Sequence, residues 1–188
     1  MIASAPVVRS PVVVFASVLL LAPAAAAYPQ WNLGLSLGAG ARLAPPAARE
    51  VLITAAVRTD ATFGARTPYA WRAGFFAAVG TTDFVTLDAA AGGVLHIPVS
   101  LTFPLLVSLG GVVDLAPTPG RAGLLGRLWW GTRSLNYHSS YGMAAGLWVE
   151  ARYRPGDGTA DVIGGLDLDL RVLALPFVML AGWIQSRT

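Results

Sequence analysis

The sequence predicts an all-β fold: a signal peptide followed by an eight-stranded antiparallel up-and-down transmembrane β-barrel. Three observations lead to this prediction. The chain is unusually apolar, and its apolar residues alternate with small or polar residues over many short stretches. Turn-forming residues separate these stretches, so that each strand with its connection takes about twenty residues, which suits the ~9–11 residues of a tilted membrane-spanning strand.

The composition sets the broad class. Hydrophobic residues make up 55% of the chain and charged residues 12%, with a mean hydropathy of +0.60, whereas about a quarter of the residues of a soluble domain are charged. The absence of cysteine excludes disulfides, thiolate metal sites and cysteine nucleophiles. The basic residues are all arginine and are dispersed, which predicts no nucleic-acid-binding patch.

Residues 1–27 have the order of a secretory signal. Arg9 precedes a largely apolar run, residues 11–21, and small residues, 24–27, follow as a cleavage site. The alternative is an N-terminal membrane anchor, but the run is shorter than the ~20 residues that a spanning helix needs. We therefore expect cleavage after Ala27, with the barrel over residues 28–173.

The first four predicted strands each place apolar residues at every second position. In the first, Trp31 to Leu43, all odd positions are apolar and all even positions are small, polar or charged, so one face is apolar. The next three repeat this pattern after breaks at residues 44–50, 66–68 and 81–83; they are residues 51–64, residues 69–80 and a strand beginning near Val85.

The last four strands follow the same rule. A turn is predicted over Pro98–Pro104, and loops over residues 116–123, 134–140 and 154–160. The strands between and after them are residues 105–115, 124–133, 141–153 and 162–172. An even number of strands lets the last strand meet the first antiparallel, which leaves no open edge in lipid.

Most charged residues within the predicted strands fall on the face opposite the apolar one. We expect them to form a charge network in the lumen: Arg42, Arg58, Asp60, Arg72, Asp88, Arg127, Glu150, Arg152, Asp167, Asp169 and Arg171. Unpaired buried charge is costly, and an eight-stranded barrel is just wide enough for side chains to fill. The network therefore predicts a plugged interior. The alternative is a polar conduit or proton path using Arg58, Asp167 and Asp169.

Aromatic residues lie at one end of the predicted array. If the strands form a meander, these residues share one rim, as in an interfacial aromatic girdle: Trp31, Tyr69, Trp71, Trp129, Trp130, Tyr141 and Trp183.

By this pattern the mature chain resembles the small eight-stranded outer-membrane β-barrels of Gram-negative bacteria. Gly165, Leu168 and Leu170 resemble part of the barrel-assembly signal of a final strand, although the terminal aromatic residue is missing and the chain continues to Thr188. The resemblance implies location in the outer membrane, contact with membrane lipid and recognition by the barrel-assembly machinery. The apolar C-terminal tail, residues 174–188, would extend the strand or lie at the membrane surface.

One stretch favours a competing helical interpretation. Residues 94–113 carry no formal charge and are long enough for a transmembrane helix. Pro98 and Pro104 would each break its hydrogen bonding, so a hairpin that turns between them explains the stretch better.

Motifs for catalysis and cofactors are weak. His138, Ser140 and Glu150 faintly resemble the histidine–serine–glutamate set of outer-membrane lipid A deacylases, but Tyr141 replaces that family's asparagine and the glutamate spacing differs. The two histidines, His96 and His138, lack metal-ligand spacing, and the glycines of the first strand do not form a nucleotide fingerprint. We expect no catalytic residues, metal or cofactor.

The sequence therefore favours a non-enzymatic outer-membrane barrel with a structural or surface-interaction role. Three alternatives stay open: a small-solute transporter or channel, a lipid-modifying hydrolase, and a soluble barrel of lipocalin type. In the soluble barrel the apolar face would point inward.

Overall fold

The structure, a computed structural model, describes residues 29–44, 48–65, 67, 69–100, 102–117, 120–133, 144–170, 183 and 185. Eight β-strands form one closed barrel. They are β1 (Gln30–Ala44), β2 (Ala48–Phe63), β3 (Arg72–Thr81), β4 (Leu87–Ile97), β5 (Leu105–Ala116), β6 (Ala122–Arg133), β7 (Ala144–Arg154) and β8 (Thr159–Asp169). Each strand pairs antiparallel with the next, and β8 pairs with β1.

The pairing register fixes the tilt of the strands. A circuit of paired residues that starts at Trp31 passes once around the barrel and returns to β1 at Ala41, ten residues further along. With ~3.3 Å per residue and ~4.8 Å between strands, a stagger of about ten residues over about eight strands gives a tilt of about 41°. Each residue then rises about 2.5 Å along the barrel axis.

We call the rim that carries Gln30 and Asp169 the terminal rim, and the rim that carries Ala44 and Thr159 the far rim. Along β1, every outward position from Trp31 near the terminal rim to Leu43 near the far rim is apolar. This band of about twelve residues spans about 30 Å along the axis, close to the ~30 Å of bilayer hydrocarbon.

Apolar side chains cover the outside of the barrel. Among the exposed large hydrophobic residues are Val57, Leu109, Leu128, Leu147 and Val149. The interior faces instead carry buried arginines and carboxylates together with Phe76, Trp129 and Trp148. This arrangement contradicts the lipocalin-type alternative, which requires an apolar interior.

Inward-facing glycines let neighbouring strands and large interior side chains fit. A Cβ at Gly165 would lie 2.0 Å from a carbonyl oxygen of Leu37 on β1, and a Cβ at Gly38 would lie 2.7 Å from the Trp148 ring. The narrow interior has room for the indole only because Gly38 has no side chain.

The eight predicted strands, their order and the turn at Pro98–Pro104 are confirmed, but several predicted bounds were wrong. The final strand ends at Asp169 rather than Val172, and Leu170 is helical. Residues 154, 159 and 160 lie in strands, although a turn was predicted there, because they continue the pairing of β7 with β8. The third strand begins only at Arg72, after Tyr69 and Trp71.

The helical interpretation of residues 94–113 is wrong, because these residues contain the end of β4, a turn and most of β5. No helix in the described part of the chain is long and apolar enough to cross a membrane. The predicted signal peptide, residues 1–27, lies outside the described residues. So does the predicted tail, residues 174–188, apart from Trp183 and Gln185.

Candidate functional site: the charged interior

The barrel encloses a balanced set of charges. Among the described residues, those classed as buried include six arginines and six carboxylates, which are Arg58, Arg72, Arg127, Arg133, Arg152, Arg154, Asp60, Asp88, Asp114, Glu150, Asp161 and Asp169. Buried charge is stable only when it is paired and hydrogen-bonded. The pairs form two groups, one toward each rim, and Arg127 and Glu150, 3.7 Å apart, link the two groups.

The group toward the far rim is centred on Asp161 of β8, whose side chain is fully buried. Its carboxylate accepts hydrogen bonds from Arg42 Nε at 2.9 Å and from Arg154 Nη1 at 2.6 Å. Arg154 also donates to Asp114 at 3.1 Å, and Arg42 to the exposed Glu50 at 3.3 Å. These bonds join five strands, β1, β2, β5, β7 and β8.

A second layer of the far-rim group is organised by Arg152 of β7. Its Nε donates to Glu150 Oε1 at 2.6 Å, and its Nη1 donates to Asp88 Oδ2 at 2.8 Å. The hydroxyl of Thr82 donates to the same Asp88 oxygen at 3.1 Å. These ion pairs place charged side chains across the interior next to the Asp161 layer.

The group toward the terminal rim contains Arg127 and Arg133 of β6. Arg127 Nη2 donates to Asp167 Oδ2 at 2.6 Å and to Ser36 Oγ at 3.0 Å. Its guanidinium carbon lies 4.3 Å from the centre of the Trp148 ring, a cation–π contact. Arg133 Nη2 donates to Asp60 Oδ1 at 2.6 Å.

Arg58 of β2 differs from these arginines. Its Nη2 donates to the Ser108 hydroxyl oxygen at 2.7 Å, and its guanidinium lies 4.0 Å from the centre of the Phe76 ring. Within the described ranges, no carboxylate oxygen lies within 4.0 Å of its nitrogens. Arg58 also lines a small internal pocket with Asn32, Ser108 and Arg133.

The β3–β4 loop carries a structured turn on the far rim. Asp83 accepts hydrogen bonds from the backbone N–H of Val85 at 2.9 Å, from the backbone N–H of Thr86, and from the Thr86 hydroxyl at 2.9 Å. Partial burial by itself raises the pKa of Asp83, but these hydrogen bonds outweigh it and lower the pKa below its ordinary value.

The structure places ten of the eleven residues of the predicted network in the described strands: Arg42, Arg58, Asp60, Arg72, Asp88, Arg127, Glu150, Arg152, Asp167 and Asp169. Arg171 lies outside the described residues. The interior charges that the prediction omitted are Asp114, Arg133, Arg154 and Asp161. Three of them lie an even number of residues from an included residue on the same strand, as Asp161 lies six residues before Asp167, so the alternation placed them on the same inward face.

Exposed aromatic residues lie near the terminal rim. Trp31 packs edge-on against Phe75 with ring centres 6.2 Å apart, Phe103 lies 5.7 Å from Trp130, and Trp71 is exposed. Trp129 is an exception to the predicted girdle. It points into the barrel and is buried, because it alternates with the outward Trp130.

The hydrolase set is not assembled by the described residues. His138, Ser140 and Tyr141 lie outside them. Glu150 is buried in the lumen and accepts a hydrogen bond from Arg152, with Arg127 3.7 Å away. In the described part of the chain, no group of three or more histidine, cysteine or acidic residues is arranged to hold a metal ion.

Together these features define the chain as a closed eight-stranded antiparallel β-barrel with an apolar exterior and an ion-paired interior. These interactions fill the lumen and connect strands that are distant around the barrel. No family model, no curated protein and no solved structure matches this chain.

Proposed function

We propose that this protein is an integral β-barrel of the outer membrane with a structural or surface-interaction role and a charge-plugged interior, and that it is not an enzyme. The observation that carries the proposal is the inverted polarity of the barrel. Large hydrophobic side chains point outward over a band of about 30 Å, whereas arginine–carboxylate pairs are buried inside.

The free energy of hydration supports lipid as the outer environment. Soluble monomers rarely expose contiguous apolar patches above a few hundred Å², and here apolar side chains surround the barrel. Burial of these side chains in the hydrocarbon of a bilayer removes the free-energy cost of exposing them to water. Closure of the barrel supports the same environment, because every strand has a hydrogen-bonding neighbour on both sides and no edge faces lipid.

The outer membrane is the compartment that fits best. Barrels of this kind, with an even strand number and an aromatic girdle at the interface, are typical of bacterial outer membranes. The predicted signal peptide is consistent with export. The partners we propose are membrane lipid and the barrel-assembly machinery.

The filled lumen favours a structural role over transport. A solute that crossed the barrel would have to displace the Asp161 and Arg152 layers, in which each arginine bonds two carboxylates. Breaking one buried pair costs about 3–5 kcal/mol. Nothing in the described interior marks a path around these layers.

The proposal is tested by fractionation and by cysteine labelling, for which the cysteine-free chain is well suited. We expect outer-membrane fractionation and heat-modifiable gel mobility. Val57→Cys and Leu147→Cys should resist a water-soluble maleimide in vesicles and react in detergent-denatured protein. Glu50→Cys, at an exposed rim position, is the matched control and should react in both states. Free solubility of the processed protein, or equal aqueous labelling at all three positions, would contradict the proposal.

A further inference from the structure

Among the described residues, the arginines and carboxylates inside the barrel balance in number, but they are not evenly paired. Toward the far rim, Arg42, Arg152 and Arg154 share the carboxylates of Asp88, Asp114, Glu150 and Asp161. Toward the terminal rim, Arg127 lies 2.6 Å from Asp167 and 3.7 Å from Glu150, and Arg133 lies 2.6 Å from Asp60. Each of these five arginines has a carboxylate oxygen within 4.0 Å.

Within the residues that the structure describes, Arg58 lacks such a close carboxylate. The carboxylates of Asp60 and Asp167 bond Arg133 and Arg127, each at 2.6 Å, while Arg58 bonds only a hydroxyl oxygen and an aromatic ring. Arg58 is 7% exposed. A buried cation with neutral partners lacks the compensation that other interior arginines have, and a bound anion would supply it.

The pocket beside Arg58 has the size and the donors for a small anion. It has room for about one or two water-sized bodies. The Ser108 hydroxyl accepts its hydrogen bond from Arg58, so its own proton is available to donate. Arg133 and Asn32 also line the pocket and contribute further N–H groups. The Asp60 and Asp167 carboxylates that share the lining are already engaged by arginines.

We infer that this pocket is a binding site for one small monovalent anion of halide size, held by Arg58 and Ser108 inside the terminal-rim half of the barrel. The anion pairs with the Arg58 guanidinium and stabilises the folded barrel. Larger anions such as gluconate are excluded by the size of the pocket. The inference concerns the folded interior and stands apart from the proposed membrane location.

The first test compares unfolding midpoints of the purified protein in a non-ionic detergent, in sodium chloride, sodium bromide and sodium gluconate at equal ionic strength. We expect the halides to raise the midpoint by a few degrees relative to gluconate, because a ligand that binds only the folded state stabilises it. Arg58→Met should lose this difference. Arg121→Met, at the far rim and outside the pocket, is the matched control and should keep it.

The second test uses bromide as a fluorescence quencher, because Trp129 lines the pocket. We expect a saturable component of tryptophan quenching in the wild type that is absent from Arg58→Met and Trp129→Phe. If Arg58→Met fails to fold, Ser108→Ala keeps the charge, removes one donor and should weaken the saturable component several-fold. Equal midpoints in all three salts, or saturable quenching that persists in Arg58→Met, would overturn the inference.

Discussion

Replacing one outward leucine by arginine distinguishes a lipid-facing barrel from a water-facing one. Leu109 and Leu115 lie on the same face of β5, six residues apart, and both are exposed, at 64% and 44%. We predict that Leu109→Arg strongly destabilises the protein in a bilayer and that Leu115→Arg does so weakly. The two variants make the same chemical change at different depths.

The magnitude follows from the register. Four strand-to-strand steps of ~3 Å lead from Trp31 to Leu109, so Leu109 is ~12 Å into a band of ~30 Å and close to its midplane. Leu115 lies about 15 Å further toward the far rim, near the edge of the band. A lipid-facing arginine costs about 2–4 kcal/mol near the midplane and falls toward about 0–1 kcal/mol at the interface.

The assay is reversible urea unfolding in phospholipid vesicles, followed by tryptophan fluorescence and by heat-modifiable gel mobility. We expect Leu109→Arg to lower the free energy of unfolding by about 2–4 kcal/mol and Leu115→Arg by about 1 kcal/mol or less. On a water-exposed surface both changes would lie within about 0.5 kcal/mol of the wild type. Equal, small effects at both depths would therefore refute a lipid-facing exterior.

Three further predictions concern the interior and the far rim. Asp161→Asn should lower the free energy of unfolding by about 3–5 kcal/mol in urea titrations, because two arginines lose a buried partner, whereas Glu50→Gln at the exposed rim should cost less than about 1 kcal/mol. Gly165→Ala, whose Cβ would lie 2.0 Å from a β1 carbonyl oxygen, should destabilise the barrel, and the adjacent Gly164→Ala, with its nearest contact at 3.4 Å, should be tolerated; unfolding midpoints compare them. The pKa of Asp83 is lower in the folded state than its ordinary value of 3.8. The stabilisation from its carboxylate is therefore present above that ordinary value and is lost as the pH falls through the folded pKa. Unfolding midpoints of Asp83→Asn should vary less with pH over that acidic range than those of the wild type.

The strand pattern could be predicted from the sequence because each strand has two different environments. Along Trp31–Leu43 the outward positions are all apolar and the inward positions are small, polar or charged. Such alternation predicts both that the segment is a strand and which of its side chains point outward. Prolines and glycines then mark most of the breaks, as at Pro98 and Pro104. Strand ends were harder to predict, because pairing with a neighbour decides where a strand stops: β8 pairs with β1 only as far as Asp169 opposite Gly34, although the apolar alternation of the sequence continues to Val172.

The specific ion pairs could not be predicted, because they depend on the stagger of the whole barrel. Arg152 meets Asp88, which is 64 residues away in the sequence and lies on a strand that is not its neighbour. The alternation shows that a charged side chain points inward, but not which opposite charge it pairs with. The neutral partners of Arg58 became visible only once the register had placed Ser108 and Phe76 beside it.

The interior and the exterior of this barrel depend on one another. A narrow eight-stranded barrel has little space for solvent, so interior arginines must find carboxylates across the lumen. Asp161, with side-chain exposure of 0%, joins Arg42 of β1 to Arg154 of β7 and so reinforces the region where β8 closes the barrel. Such ion pairs hold the strands together from inside the barrel, whereas the outward apolar side chains contact one another and the surrounding medium. In the proposed membrane barrel, the charges hold the strands together and the apolar surface meets lipid, so the contacts that fill the lumen are the ones that support the proposed structural role.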